Sequence, residues 1–261
     1  MDMQLKNRNA LVTGSSQGIG FAIAEALARE GCNVAIAARG EERLEQARKQ
    51  LTTHGTRVVA ITTDFSSEAG CKAFIDAAAE QLVSIDILVN NVGGMIPGTL
   101  ESLTETDWAR VLNVNLMAAV YTTKYALPHL RVAEHARILN VSGVSGKQLL
   151  PGSLTTTIPN AGIIGFSKVM AGELGAAGIT VNNICPGPTN TASWAPRAEA
   201  MAKVQGVTAD DVRAAIAHQT LLGRWAEPDE IGNVAAFLVS ARNSYMTGTT
   251  IEVCGGASRY L

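Results

Sequence analysis

The run Thr13-Gly14-Ser15-Ser16-Gln17-Gly18-Ile19-Gly20 constrains this chain more than any other stretch. It follows the short apolar run Ala10-Leu11-Val12. It opens a segment with Ile19, Ala22, Ile23, Ala26 and Leu27 at helical spacing. The context reads strand, glycine turn, helix. Such a turn brings backbone N–H groups and the positive end of a helix close to a phosphate. Glycine is needed because a Cβ would block both the turn and the close approach. The spacing is G-x-x-x-G-x-G, not the G-x-G-x-x-G of the usual dinucleotide fingerprint. On spacing alone, a tight strand-to-helix connection without a ligand stays open as the plainer reading.

Asn33 to Ala38 reads as a second strand with Arg39 at its end. In dinucleotide folds an acidic residue there binds the ribose 2′-hydroxyl, whereas an arginine accommodates a 2′-phosphate. Ala38-Arg39 offers no acid, which favours NADP over NAD; a solvated arginine is the alternative. Glu41 to His54 is a charged helix, and Arg57 to Ile61 is a third strand running to Thr63-Asp64-Phe65. The next helix carries Cys71, Phe74, Ile75, Ala78 and Leu82. Ile85 to Val89 is a fourth strand, leading into Asn90-Asn91-Val92-Gly93-Gly94.

Thr104-Glu105-Thr106-Asp107 has the form of a capping box. Trp108, Val111, Leu112, Asn115 and Ala119 then share one helical face. Asn115 is polar on an apolar stripe, and a buried amide must be hydrogen-bonded. Arg137 to Val141 and Ile179 to Cys185 are the fifth and sixth strands. Residues 192–220 look less regular. Ala226 to Leu238 is a helix opened by Pro228, and Thr250 to Val253 is the last strand. Alternating strands and amphipathic helices imply a parallel sheet covered on both faces. The expected architecture is α/β, a doubly wound Rossmann-type sheet forming one domain over residues 1–261. Ligands bind such sheets at the carboxyl ends of the strands, where the Gly14 turn, Asn90 and Pro186 lie.

The Thr13–Gly20 turn, Asn90-Asn91-Val92-Gly93, Asn113-Val114-Asn115 and Pro186-Gly187-Pro188-Thr189-Asn190-Thr191 resemble motifs of the short-chain dehydrogenase/reductase family. The resemblance implies a cofactor site with Gly14, Ser16, Gly18, Ile19 and Gly20 in the turn. It adds Arg39, Asp64 near the adenine, Asn91, Gly93 near the ribose, and Pro186, Gly187 and Thr191 at the nicotinamide end. For Asp64 a turn or helix-start role competes, and for Asn115 a structural amide competes with one that holds a water in a proton relay. The family's mobile substrate lid falls at about 190–220, where a long irregular segment is usually functional. Cys254-Gly255-Gly256 replaces the family's usual Asp-Gly-Gly.

The family's chemistry rests on a Ser, a Tyr and a Lys. A tyrosine, with a pKa of about 10 when unperturbed, donates the proton, and a nearby lysine cation lowers that value. Counting from Arg137–Ser142, the Ser position falls on Gly143. Counting back from Ala161–Lys168, the Tyr and Lys positions fall on Thr156 and Asn160. Pro159 lies between them, and the regular helix is expected to start or kink there, because an interior proline costs about 3 kcal/mol. The candidate catalytic residues are thus Asn115, Ser145, Thr156 and Asn160, with His218 of the lid either a further acid or an ordinary surface histidine. A lost general acid is worth roughly 10²–10⁴-fold.

The 261 residues, 47% hydrophobic, suffice for a full core. A net charge of -2 shows no electrostatic footprint for nucleic acid. No apolar run has signal-peptide or membrane-spanning length. Cys32, Cys71, Cys185 and Cys254 form no C-x-x-C pair, so no metal site or disulfide framework is expected. Buried thiols of a cytoplasmic protein are the simpler reading. Three functions are compatible with these residues. The first is an NADP-dependent oxidoreductase acting on a small carbonyl or alcohol with altered proton handling. The second is a non-catalytic NADP-binding subunit serving a homologous active partner. The third is a dehydratase or lyase without net redox. The family resemblance implies a homo-oligomer, dimer or tetramer.

Overall fold

The computed structural model describes residues 2–148 and 153–259. Seven parallel strands form one sheet in the order β3-β2-β1-β4-β5-β6-β7. They are β1 (Asn9–Thr13), β2 (Asn33–Ala38), β3 (Val58–Thr62), β4 (Ile87–Asn90), β5 (Arg137–Val141), β6 (Thr180–Pro186) and β7 (Thr250–Val253). The helices are α1 (Gly18–Arg29), α2 (Glu41–Thr52), α3 (Glu68–Leu82), α4 (Glu105–Leu112), α5 (Ala118–Leu130), α6 (Leu154–Leu174), α7 (Trp194–Gln205), α8 (Ala209–His218) and α9 (Pro228–Val239).

The central strands read as apolar runs because both their faces are buried. Along β1, Val12 enters a core with Ile23, Leu27, Ile36, Leu44 and Ile231, on the side of α1, α2 and α9. Leu11 points the other way, into a core with Phe74, Ile75, Leu88, Leu130 and Val181, on the side of α3, α5 and α6. Strand order reverses between β1 and β4, so their carboxyl ends splay around a crevice. The Thr13 turn and the Asn90-Asn91 segment both open into it.

The sheet is the doubly wound Rossmann-type sheet expected from the sequence. β2, β5 and β7 have the expected limits, while β3 and β6 shift by one residue and β4 starts at Ile87. The charged helix ends at Thr52 instead of His54. Two expectations fail. Residues 192–220 are not irregular: they hold α7 and α8, the second opened by a capping box between Thr208 and Asp211. These helices bury little of their own, with Ala198, Ala202 and Val212 forming a small separate cluster.

The second failure concerns where α6 starts, which is Leu154 and not Pro159; the helix runs on through the proline. The proline leaves the Thr155 carbonyl without its helical N–H donor. The Asn115 side chain supplies one instead, its Nδ2 donating to Thr155 O at 3.4 Å. The lost hydrogen bond is thereby replaced from a neighbouring segment, and the helix continues.

Candidate active site

The glycine turn is held from below. Thr13 Oγ1 accepts from the Asn91 and Val92 amides at 2.9 and 3.0 Å. Asn91 Nδ2 donates back to the carbonyls of Thr13 and Gly14 at 3.0 and 3.1 Å. Gly14 takes the left-handed conformation, φ 64°, which disfavours any side chain. A Cβ on Gly20 would overlap Asn91 Nδ2 and the Gly14 carbonyl oxygen. Ser15, which the sequence reading passed over, ties the turn to the next strand: its Oγ donates to Val12 O and accepts from Ala37 N.

α1 then begins with no side-chain cap and no acidic residue in its first turn. Its free N–H groups and positive end point at the turn, beside half-buried Ser16 and Ile19. Thr191 closes over this end; its Cγ2 lies 3.3 Å from where a Cβ of Gly18 would stand. Pro186 ends β6, and Gly187 N donates to Val253 O at 3.0 Å. These elements form a cradle for a phosphate-bearing ligand at the strand ends.

Arg39 stands exposed at the end of β2. A second guanidinium joins it: Arg43 of α2 donates to Gln17 Oε1 at 2.9 Å, just ahead of α1. Nothing in the spacing of the sequence announced Arg43. Asp64 forms a local turn, its Oδ1 accepting from Ser66 N at 3.0 Å. That backbone hydrogen bond holds its carboxyl below the ordinary range, with the Arg39 and Arg110 charges adding to it. Its local turn role is therefore on view.

At the other end of the crevice, a five-residue π-helix, Asn113–Met117, joins α4 to α5. Such bulges frequently occur at functional sites. It turns Asn115 inward, where Oδ1 accepts from Gly94 N at 2.6 Å and Nδ2 donates to Gly94 O at 2.7 Å. The same Nδ2 reaches Thr155 O, so the amide clamps the loop after Gly93 to α6. These three hydrogen bonds are structural contacts of the Asn115 side chain. Asn90 bonds Asn140 and Thr123 and accepts from Thr122, joining β4 to β5 and α5.

Gly143, Ser145 and Asn160 meet. Asn160 Nδ2 donates to Ser145 Oγ at 2.9 Å, and a Cβ on Gly143 would lie 3.0 Å from that same nitrogen. Thr156 turns its hydroxyl back on its own helix, donating to Ser153 O at 3.0 Å.

The sequence model of a family described as enoyl-(acyl carrier protein) reductase matches residues 14–258. Oxidoreductase UcpA of Salmonella typhimurium is 35% identical over 257 residues, 98% of this chain and 96% of the relative. A subunit of (2S)-[(R)-hydroxy(phenyl)methyl]succinyl-CoA dehydrogenase from Thauera aromatica is 32% identical over 260 residues, 99% of each. L-sorbose reductase from Gluconobacter frateurii, solved with NADPH and L-sorbose, superposes with a TM-score of 0.95 at 31% identity, covering 100% of both chains. This protein belongs to the short-chain dehydrogenase/reductase family.

Of the described tyrosines, Tyr125 donates to Glu68, Tyr121 packs among the α3 and α5 core, and Tyr245 is 99% exposed. None bonds Ser145, Thr156 or Asn160. Lys147 follows Ser145 by two residues, but its ammonium is engaged by Glu252 of β7. That pairing holds the lysine above its ordinary range. Cys185 lies beneath, its thiol 3.1 Å from Ser142 Oγ and pushed up by burial. Among the described residues no group of three His, Cys, Asp or Glu could hold a metal ion, and no helix is long and apolar enough to cross a membrane.

Proposed function

We propose that the protein is an NADP(H)-dependent oxidoreductase of a small-molecule substrate, working without the family's usual proton donor. The observation that carries this is the cradle: a left-handed Gly14, a Gly20 with no room for a Cβ, and the uncapped start of α1 beside them. Its shape suits a pyrophosphate. L-sorbose reductase and an actinorhodin polyketide ketoreductase, the latter at TM-score 0.93 and 32% identity, were each solved with NADPH. Gly14, Ser16, Gly18, Ile19 and Gly20 would hold the pyrophosphate, with Asn91 bracing them. Gly93, Pro186, Gly187 and Thr191 would flank the nicotinamide half, and Asp64 the adenine. Bound there, NADPH supplies a hydride.

Arg39 and Arg43 supply the preference for NADPH over NADH, since a guanidinium pairs with a phosphate by charge-assisted hydrogen bonds. Titration of NADPH fluorescence tests this. Arg39→Ala should weaken NADPH about 10-fold, or about 1.4 kcal/mol, and leave NADH nearly unchanged. Equal losses for both cofactors would refute the assignment.

Helices α7 and α8 form the substrate lid in this reading. They share little core with the rest of the fold, the kind of segment that opens locally. Trp194 stacks edge-on against Trp225 at 4.8 Å between centroids, which fixes the lid's base. A homo-oligomer is proposed through α6, whose outer face presents Ile158, Ala161, Gly165, Val169 and Gly172. Sedimentation should find a dimer or tetramer; a monomer at micromolar concentration would refute this.

A second reading has one observation in its favour. Asn160 and Ser145 bond each other and Thr156 turns its hydroxyl inward, so none of these three positions presents a charged group. That fits a non-catalytic cofactor-binding subunit of a homologous enzyme. Turnover with any acceptor above the rate without protein rejects it.

A further inference from the structure

We propose that the acceptor is an iminium ion, a C=N bond carrying its own positive charge, rather than a neutral carbonyl. The inference rests on the reading that the cradle holds NADP(H), and it names the substrate class.

The argument is one of charge. Hydride addition to a neutral carbonyl creates an alkoxide while the dinucleotide becomes cationic. Two opposite charges appear where none stood. A low-dielectric pocket tolerates that only with an acid or a fixed cation at the oxygen. Here the positions that match the family's Ser, Tyr and Lys hold no such group. Gly143 has no side chain, Thr156 spends its proton on Ser153 O, and Asn160 is a neutral amide bonded to Ser145. None of these side chains titrates near neutrality.

An iminium ion removes the difficulty. Its carbon gains the hydride with both electrons, the C=N π pair moves onto nitrogen, and a neutral amine results. The reduced dinucleotide is oxidised in the same step. The positive charge passes from substrate to dinucleotide, so no charge is created and no proton is needed from the protein. Replacement of an ammonium by Asn160 also removes a cation that would repel such a substrate at short range.

The groups that remain suit a cationic nitrogen. Asn160 Oδ1 receives no hydrogen bond among the described residues, since its amide is engaged only through Nδ2. Thr156 Oγ1, with its proton turned away, offers lone pairs. Lys147, two residues after Ser145, is neutralised by Glu252. The same logic disfavours acceptors whose reduced forms are anions, such as quinones, because these too want a cation.

The test compares three acceptors with NADPH: N-methyl-dihydroisoquinolinium, which is permanently charged, α-tetralone, its ketone counterpart, and menadione. The native protein should oxidise NADPH with the iminium at least about 100-fold faster than with the ketone, the margin a missing general acid leaves. The rate should be flat between about pH 6 and 9, where no substrate proton titrates. Gly143→Ser, Thr156→Tyr and Asn160→Lys introduced together should reverse the order.

Should the triple variant not fold, Asn160→Lys alone serves. It should lower the iminium rate at least about 10-fold, as a like charge in the pocket would. A readout independent of turnover is calorimetric binding of N,N-dimethyl-tetrahydroisoquinolinium, which cannot be reduced. Asn160→Lys should weaken it by the same factor while NADPH affinity holds. A faster rate with α-tetralone or menadione overturns the proposal, as does an iminium rate equal to that without protein while NADPH binds. Failure to bind NADPH at all overturns instead the underlying cofactor reading.

Discussion

Gly20→Ala should yield a protein that no longer retains NADPH at micromolar concentration. The added methyl has nowhere to go. Its carbon would overlap the carbonyl oxygen of Gly14, which is backbone, and the Asn91 amide nitrogen. That nitrogen cannot step aside freely, because it donates to the Thr13 and Gly14 carbonyls at once. Relief must come from moving α1 away from the end of β1. The turn then loses the aligned N–H groups on which a pyrophosphate depends. Losing two half-buried hydrogen bonds and the turn geometry is worth about 3 kcal/mol, roughly a 100-fold loss of affinity. Fluorescence titration measures it, and thermal melting should show a parallel fall. Undiminished NADPH binding by a folded Gly20→Ala protein would mean the dinucleotide sits elsewhere.

That turn was the most legible part of the chain, for a physical reason. A glycine forced by a backbone overlap leaves a fixed spacing, and the strand and helix beside it leave apolar periodicities. The parallel sheet was legible on the same grounds, because strands such as Asn9–Thr13 are buried on both faces and carry an apolar centre, here Ala10-Leu11-Val12. Residues 192–220 were misread as irregular because α7 and α8 bury mainly alanines and one valine, too little for a stripe. The capping signal Thr208-Ala209-Asp210-Asp211 was nevertheless present, in the same form as the one at Thr104. Ser15, Arg43 and the π-helix left no mark in the sequence, since each acts through a tertiary contact. That positions 143, 156 and 160 carry no charged side chain was legible from the sequence alone. The structure adds how Asn160, Ser145 and Thr156 spend their hydrogen bonds.

The start of α6 was placed at Pro159 instead of Leu154 for a related reason, and the difference leads to a second large expected effect. Helix propensity charges the full penalty to a proline because the carbonyl one turn back is left without a donor. Here Asn115 fills that vacancy from across the crevice, at 3.4 Å, while bonding both backbone groups of Gly94 at 2.6 and 2.7 Å. Asn115→Ala therefore removes three hydrogen bonds at once, one to the buried Thr155 and two to Gly94, an exposed residue. At about 0.5–1.5 kcal/mol for each, the variant should lose about 2–4 kcal/mol of stability. The urea midpoint should fall accordingly. The role of Asn115 at Thr155 separates from its role at Gly94 in a double-mutant cycle with Pro159→Ala. Alanine at 159 restores an N–H that can bond Thr155 O within the helix. In that background Asn115→Ala should cost about 1 kcal/mol less than in the native one, because one of its three partners is already satisfied. Strict additivity of the two substitutions would show that Asn115 does not sustain α6 across the proline, and the continuity of that helix would need another cause.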